Sequence, residues 1–144
     1  MNAPESIYNW RRLDARLSTS GQPDEAQLAA LAASGVGHVI NLAPHSHRNA
    51  LPDEAASVAA LGMRYVHIPV DFSAPTEADF VAFCTAMAEL SGDKIHVHCA
   101  ANYRVSAFIY RYRCDVLRMD AAAARADMDA VWQPTGVWVS FVGG

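Results

Sequence analysis

Three residues able to do chemistry, Cys99, Arg104 and Ser106, lie close together in the stretch Lys94-Ile95-His96-Val97-His98-Cys99-Ala100-Ala101-Asn102-Tyr103-Arg104-Val105-Ser106. The run Ile95 to His98 follows Gly92-Asp93 and is rich in strand formers, and small and polar residues follow Cys99. Beyond them Val105, Phe108, Ile109, Tyr112 and Val116 recur at the spacing of one helix face. Strand, tight loop and helix in that order place a thiol beneath a helix N-terminus. There the unpaired backbone N–H groups and the positive end of the macrodipole favour an anion. The same field favours thiolate over thiol. An oxyanion held by those N–H groups would sit directly against a sulfur nucleophile.

Other residues could complete such a site. Asp71 ends a strand in Pro69-Val70-Asp71-Phe72, 28 positions before Cys99. A carboxyl on a post-strand loop can protonate a leaving alkoxide at the rim of a pocket, or it can simply shape a turn. Arg104 can clamp an anion or pair with a surface carboxylate. Ser106 can assist the thiolate or satisfy backbone in the first helical turn. Tyr103 can stack on a substrate or block the pocket. His96 and His98 share one face of their strand, where a hydrogen-bonded core histidine is the alternative to a role at the site. His45, His47 and Arg48 form a rim set for an anionic substrate. Two exposed histidines lack the remaining ligands of a metal site, so no metal is expected. Cys84 and Cys114 fall within helical patterns and read as packing residues.

These residues resemble the cysteine-dependent protein tyrosine and dual-specificity phosphatases, in particular their small bacterial branch. That family's phosphate loop reads His-Cys, two residues, Gly, two residues, Arg, then Ser or Thr. His98, Cys99 and Ser106 match it; Asn102 stands at the glycine and Val105 at the arginine, with Arg104 one step early. The resemblance implies a three-layer α/β fold and a Cys99 thiolate that attacks phosphorus. It further implies that Arg104 clamps the phosphoryl oxygens, Ser106 helps the thiolate leave, and His98 orients the loop and helps keep the thiol ionised. Asp71 would be the general acid. Ala100, Ala101, Asn102, Tyr103 and Val105 would line the site of a phosphorylated, anionic substrate. No cofactor is implied. Asparagine visits the left-handed region more readily than other non-glycine residues, which suits Asn102 to the turn. A one-residue shift turns a side chain by about 100° on a helix, so the early arginine matters for bidentate recognition. Aligned on Arg104 the loop is one residue shorter, a smaller cradle similar to that of the rhodanese-like sulfurtransferases. A Cys99 persulfide is therefore the alternative activity, and an inactive phosphate- or partner-binding module is a third reading.

A chain of 144 residues is expected to form one domain over 1–144, burying roughly 70% of its surface. It is 52% hydrophobic and 18% charged, which suits a compact globule. A net charge of −4 excludes the basic footprint of a nucleic-acid binder. The three scattered cysteines make no disulfide framework, so a reducing, cytoplasmic setting is expected. Met1 to Arg12 has no apolar core of a signal peptide, and no apolar run approaches the ~18 residues of a membrane span. Nothing in the sequence indicates an oligomeric state.

The elements that must position Cys99 follow from periodicity. Trp10 to Thr19 reads as an edge strand, and Ser20-Gly21-Gln22-Pro23 leads into a helix that Gly35 ends. Val36 to Leu42 reads as a buried strand, Pro52-Asp53-Glu54 opens a second helix, and Arg64 to Val70 is the next strand. Thr76 and Asp79 make a capping pattern before the apolar stripe of Phe80, Phe83, Cys84 and Met87. Asp120 caps a further helix, and the tail with Trp132, Pro134 and Trp138 is expected to pack on the body. Strands alternating with helices predict an α/β class with a mostly parallel central sheet and helices on both faces. In such sheets ligands gather beyond the carboxyl ends of the strands, and the loops of His45–Arg48, Asp71 and Cys99 fit that description.

Overall fold

Short β-rich runs, each followed by a helix, wind into a five-stranded sheet in the computed structural model, which describes residues 4–90 and 92–143. The first three residues of the Met1–Arg12 segment, Ser91 and Gly144 lie outside the described residues. The strands are β1 (Arg11–Arg12), β2 (Leu17–Ser20), β3 (His38–Asn41), β4 (Arg64–His67) and β5 (Ile95–His98). Their order across the sheet is β1-β2-β5-β3-β4, with β1 antiparallel to β2 and the other pairings parallel. The expected mostly parallel sheet is therefore present.

The helices are α1 (Glu25–Ala33), α2 (Glu54–Ala60), α3 (Glu77–Glu89), α4 (Tyr103–Asp115), α5 (Ala121–Asp129) and α6 (Val137–Phe141). Side chains alternate across a strand, so neighbouring residues feed two cores. Val39 joins Leu28 and Leu31 of α1 and Val58 of α2 on one face. Ile40, Ile95 and Val97 join Phe83 of α3, Phe108 of α4 and Trp138 of α6 on the other. Phe83 and Phe108 meet edge to face, 5.7 Å between ring centres, the arrangement favoured by the ring quadrupole. Both faces of the sheet are thus covered, which is why β2, β3 and β5 are buried throughout.

Two boundaries differ from the sequence expectation. Trp10–Thr19 is not one edge strand: it folds into β1 and β2, and β2 lies inside the sheet between β1 and β5. Long-range pairing, which no local pattern encodes, decides that position. The Arg64–Val70 strand stops its ladder at His67, although Ile68 and Val70 still donate to the carbonyls of Asn41 and Leu42, both at 2.9 Å. Pro69 between them has no N–H to give.

Capping follows the sequence. Asp24 and Thr76 close capping boxes with Gln27 and Asp79, and Asp120 accepts from the Ala123 amide. Ser20 and Asn41 both lie level with His98. The carboxyl ends of β2, β3 and β5 therefore open on one edge of the sheet. Among the described residues no helix is long and apolar enough to cross a membrane.

Candidate active site

Cys99 is the first residue past β5 and is only 1% exposed, with its side chain facing the Phe108 core. The loop that follows is pinned from below. The Cys99 amide donates to the Ser20 carbonyl (3.3 Å), the Gln22 amide to the Ala100 carbonyl (3.1 Å), and the Asn9 side-chain amide to the Ala101 carbonyl (2.9 Å). This close approach requires a glycine: a Cβ on Gly21 would lie 2.6 Å from the Ala100 oxygen. Asn102 adopts the left-handed region (φ 70°) and starts α4. Its side chain turns away, donating to the Asn9 carbonyl (2.9 Å) and the Thr19 hydroxyl (3.1 Å), and makes no capping bond to the helix. The first-turn amides of Tyr103, Arg104 and Val105 thus have neither a side-chain cap nor an intrahelical acceptor. That is the local requirement for an anion site at a helix N-terminus.

The ambiguity over the arginine has a structural answer. Val105 is fully buried in the Phe108 core, so only its backbone can face a ligand. Arg104, one residue earlier, is 8% exposed and donates through Nη1 to the Val70 carbonyl at 2.9 Å. Its guanidinium lies 5.6 Å from the centre of the Phe72 ring, and its buried Nε has no acceptor. A buried donor without a partner is unfavourable unless a ligand supplies an oxygen.

The remaining candidates have defined places. Tyr103 stacks flat on Trp132, 4.6 Å between ring centres. Ser106 donates its hydroxyl to the Tyr103 carbonyl (2.9 Å), and its side chain lines a cleft with Thr19 and Asp127. Asp71 is exposed and shapes a turn, accepting from the Ser73 amide (2.9 Å) and hydroxyl (2.8 Å). Those hydrogen bonds, with Arg104 as a lesser influence, hold its carboxyl below the usual range. Trp138 of α6 donates to the Phe72 carbonyl (2.8 Å) and so fixes the Asp71–Phe72 loop.

His98 and His96 are both fully buried and do different things. His98 presents Nδ1 to the Cys99 carbonyl (3.2 Å) and Nε2 to Glu54 Oε2 (2.5 Å). Glu54, the N-terminal residue of α2, also accepts from Gln22 Nε2 (2.8 Å), and Gln22 Oε1 accepts from His47 (3.1 Å). Sequence reasoning missed Glu54 because an acidic residue in a first helical turn already has a local explanation in the helix dipole. The His98 partnership holds the Glu54 carboxyl low despite its burial.

His96 lies between two serines, with Nδ1 2.8 Å from Ser18 Oγ and Nε2 2.7 Å from Ser20 Oγ. Ser20 spends its proton on the Gly21 carbonyl (2.7 Å), so it must accept from Nε2–H, and Ser18 donates to Nδ1. His96 is therefore neutral, and burial pushes its protonation well below the usual histidine range. Its folded-state affinity for protons is lowered, so the unfolded chain binds the extra proton below about pH 6.5 and stability falls as pH drops through that value. Glu54 and Asp127, also lowered, extend the loss below about pH 4.5. Urea unfolding between about pH 6.5 and pH 5 should lose up to about 1.4 kcal/mol per pH unit for each extra proton the unfolded chain binds. His96→Gln should lessen that loss, the remainder coming from His47 and His67, which are lowered too; a slope unchanged in the variant would contradict the assignment.

At the rim, His45 stacks on His67 at 3.9 Å and lies 2.9 Å from the Tyr65 hydroxyl. His67, absent from the sequence candidates, bonds the Ala43 carbonyl at 2.7 Å. His47 turns the other way, to Gln22. Burial, then the positive charges of Arg104 and His98, lower its proton affinity. Arg48 lies on the exposed part of the same loop.

Comparison with known proteins follows the same lines. The family model for a DSP-PTPase phosphatase fused to NAD+ kinase matches residues 5–136. A beta-lactamase hydrolase-like protein of Agrobacterium fabrum is 36% identical over 96 residues, 65% of this chain. The chain spans only 22% of the length of that relative. A DUF442 protein of Shewanella putrefaciens, solved as a candidate phosphatase, is 36% identical with a TM-score of 0.85, covering 96% of this chain and 91% of that one. TpbA of P. aeruginosa, solved with pTyr, shares the fold at 21% identity and a TM-score of 0.70, covering 90% and 75%. With its sheet order, its cysteine at the end of β5 and a match over nearly its whole length, this chain belongs to the DSP-PTPase phosphatase family described as fused to NAD+ kinase.

Proposed function

We propose that the chain is a cysteine-dependent phosphatase acting on phosphate monoesters, with the short loop from Cys99 to Arg104 as its anion cradle. The observation that carries this reading is Arg104: a buried guanidinium with an unsatisfied Nε, on the uncapped first turn of the helix that Cys99 precedes. In the first step the Cys99 thiolate attacks phosphorus, an S–P bond forms, and the bond from phosphorus to the leaving oxygen breaks. That oxygen takes the Asp71 proton. The Arg104 guanidinium and the amides of the first turn stabilise the equatorial oxygens as charge builds on them. Water then attacks phosphorus, giving its proton to Asp71; the S–P bond breaks, and phosphate leaves the regenerated thiolate. His98 orients the loop through the Cys99 carbonyl. Substrate oxygens reach the amides of Ala100 to Val105, while His45, His47 and Arg48 form the rim. The phosphotyrosine bound to TpbA supports an aryl phosphate as the substrate class.

Hydrolysis of para-nitrophenyl phosphate, blocked by vanadate, tests the reading at mildly acidic pH, because the Asp71 acid must be protonated and its carboxyl is held low. The alternative activity is sulfur transfer through a Cys99 persulfide, which needs no general acid. Asp71→Asn separates the two. On a phosphotyrosine peptide, whose leaving group needs a proton, the rate should fall about a hundredfold. Para-nitrophenolate is a better leaving group, so that substrate should be less affected. Sulfur transfer from thiosulfate to cyanide needs no acid and should be unchanged. A phosphate or sulfate that binds without turnover of either substrate class would leave a binding module as the function.

A further inference from the structure

Glu54 is the one buried carboxylate among the described residues, 1% exposed, and its partner His98 is fully buried. A charge this far from water is costly unless paired and hydrogen-bonded, and both conditions are met. Oε2 lies 2.5 Å from His98 Nε2, and Oε1 accepts from Gln22 Nε2 at 2.8 Å. His98 Nδ1 faces the Cys99 carbonyl, which can only accept. Both ring nitrogens of His98 therefore face acceptors, and each needs a hydrogen. We propose that Glu54 is a positioning residue for Cys99, acting through His98: it holds that ring as an imidazolium cation fixed to the cysteine's own carbonyl. This rests on the nucleophilic role of Cys99 given above and extends it to α2.

A cation bonded to the Cys99 carbonyl adds to the positive N-terminal end of α4, whose N-cap position, Asn102, lies three residues after Cys99. The adjacent carboxylate, Asp53, is exposed and caps α2 through the Ala56 amide. The other titratable groups that feel the pair are His45 and His47 of the β3–α2 loop and His67 and Tyr65 of β4, and Arg104 of α4 acts on His47 beside them. His96, beside His98 on β5, is held neutral by its serines. Gln22 ties the pair to His47. The Asn49 amide donates to His47 Nδ1 (3.3 Å), so its Nε2 carries the hydrogen that Gln22 accepts, and Gln22 is turned to give its own N–H to Glu54.

The test follows the ultraviolet absorbance of the Cys99 thiolate against pH, with Cys99→Ser as the blank. Glu54→Gln keeps the shape and an acceptor for His98 but removes the counter-charge. Its absorbance midpoint should move upward by about one pH unit, a change that loss of packing alone would not produce. An unmoved midpoint in a folded Glu54→Gln protein overturns the proposal. Should that variant not fold, nitrogen NMR of histidine-labelled wild-type protein decides: two protonated ring nitrogens on His98 at neutral pH support it, and a neutral ring overturns it. A wild-type midpoint no lower than that of an ordinary cysteine would instead refute the nucleophilic reading of Cys99, whatever Glu54 does.

Discussion

Cys99→Ser is expected to lower turnover by about a thousandfold or more while the protein stays folded. Serine nearly matches cysteine in volume, so the tight seat at the end of β5 is kept. Its hydroxyl, however, gives no useful population of anion near neutral pH, whereas a thiol under a helix N-terminus does. The substitution also buries a hydroxyl against Phe108-side packing, which costs about 1–3 kcal/mol. Urea unfolding should show that modest loss. Turnover close to the wild type would remove the covalent step and with it both enzymatic readings.

Arg104→Lys should reduce turnover by a factor of about 100 to 1000, the second large effect. Lysine keeps the positive charge but loses the planar fork. In the structure one arm of that fork is engaged with the Val70 carbonyl, and the unsatisfied Nε is the donor left for a substrate oxygen. A single ammonium cannot serve both. Leaving the Val70 carbonyl without its donor costs about 1–3 kcal/mol, so affinity for phosphate or vanadate should be measured beside stability. Unchanged anion affinity in Arg104→Lys would make Arg104 a structural tie for the Asp71 loop rather than a clamp.

The residues that need only local physics were legible in advance. The Thr76–Asp79 and Asp120 caps satisfy the first amides of their own helices, so spacing alone finds them. The strand before Cys99 and the helix after it follow from periods of two and 3.6. The placing of β2 inside the sheet was not legible, because β1 is two residues long and the pairing of β2 with β5 joins residues 78 apart. Likewise Glu54 carries a local explanation as the first residue of α2, and nothing near it in sequence announces His98, 44 positions away.

By itself, then, the sequence determined that a cysteine ends a buried strand before a helix, in an α/β sheet whose loops gather at one edge. It left two registers for the arginine, since Arg104 and Val105 are adjacent and either could have faced the hollow. Packing made the choice: Val105 fills the Phe108 core, and Arg104 takes the Val70 carbonyl. The tertiary structure alone also decided which charge stands under the cysteine, because a buried carboxylate is tolerable only where the fold delivers a partner to it. The physical reason is range: backbone periods and caps act over a few residues, whereas burial and buried pairing depend on segments that meet only when the sheet closes.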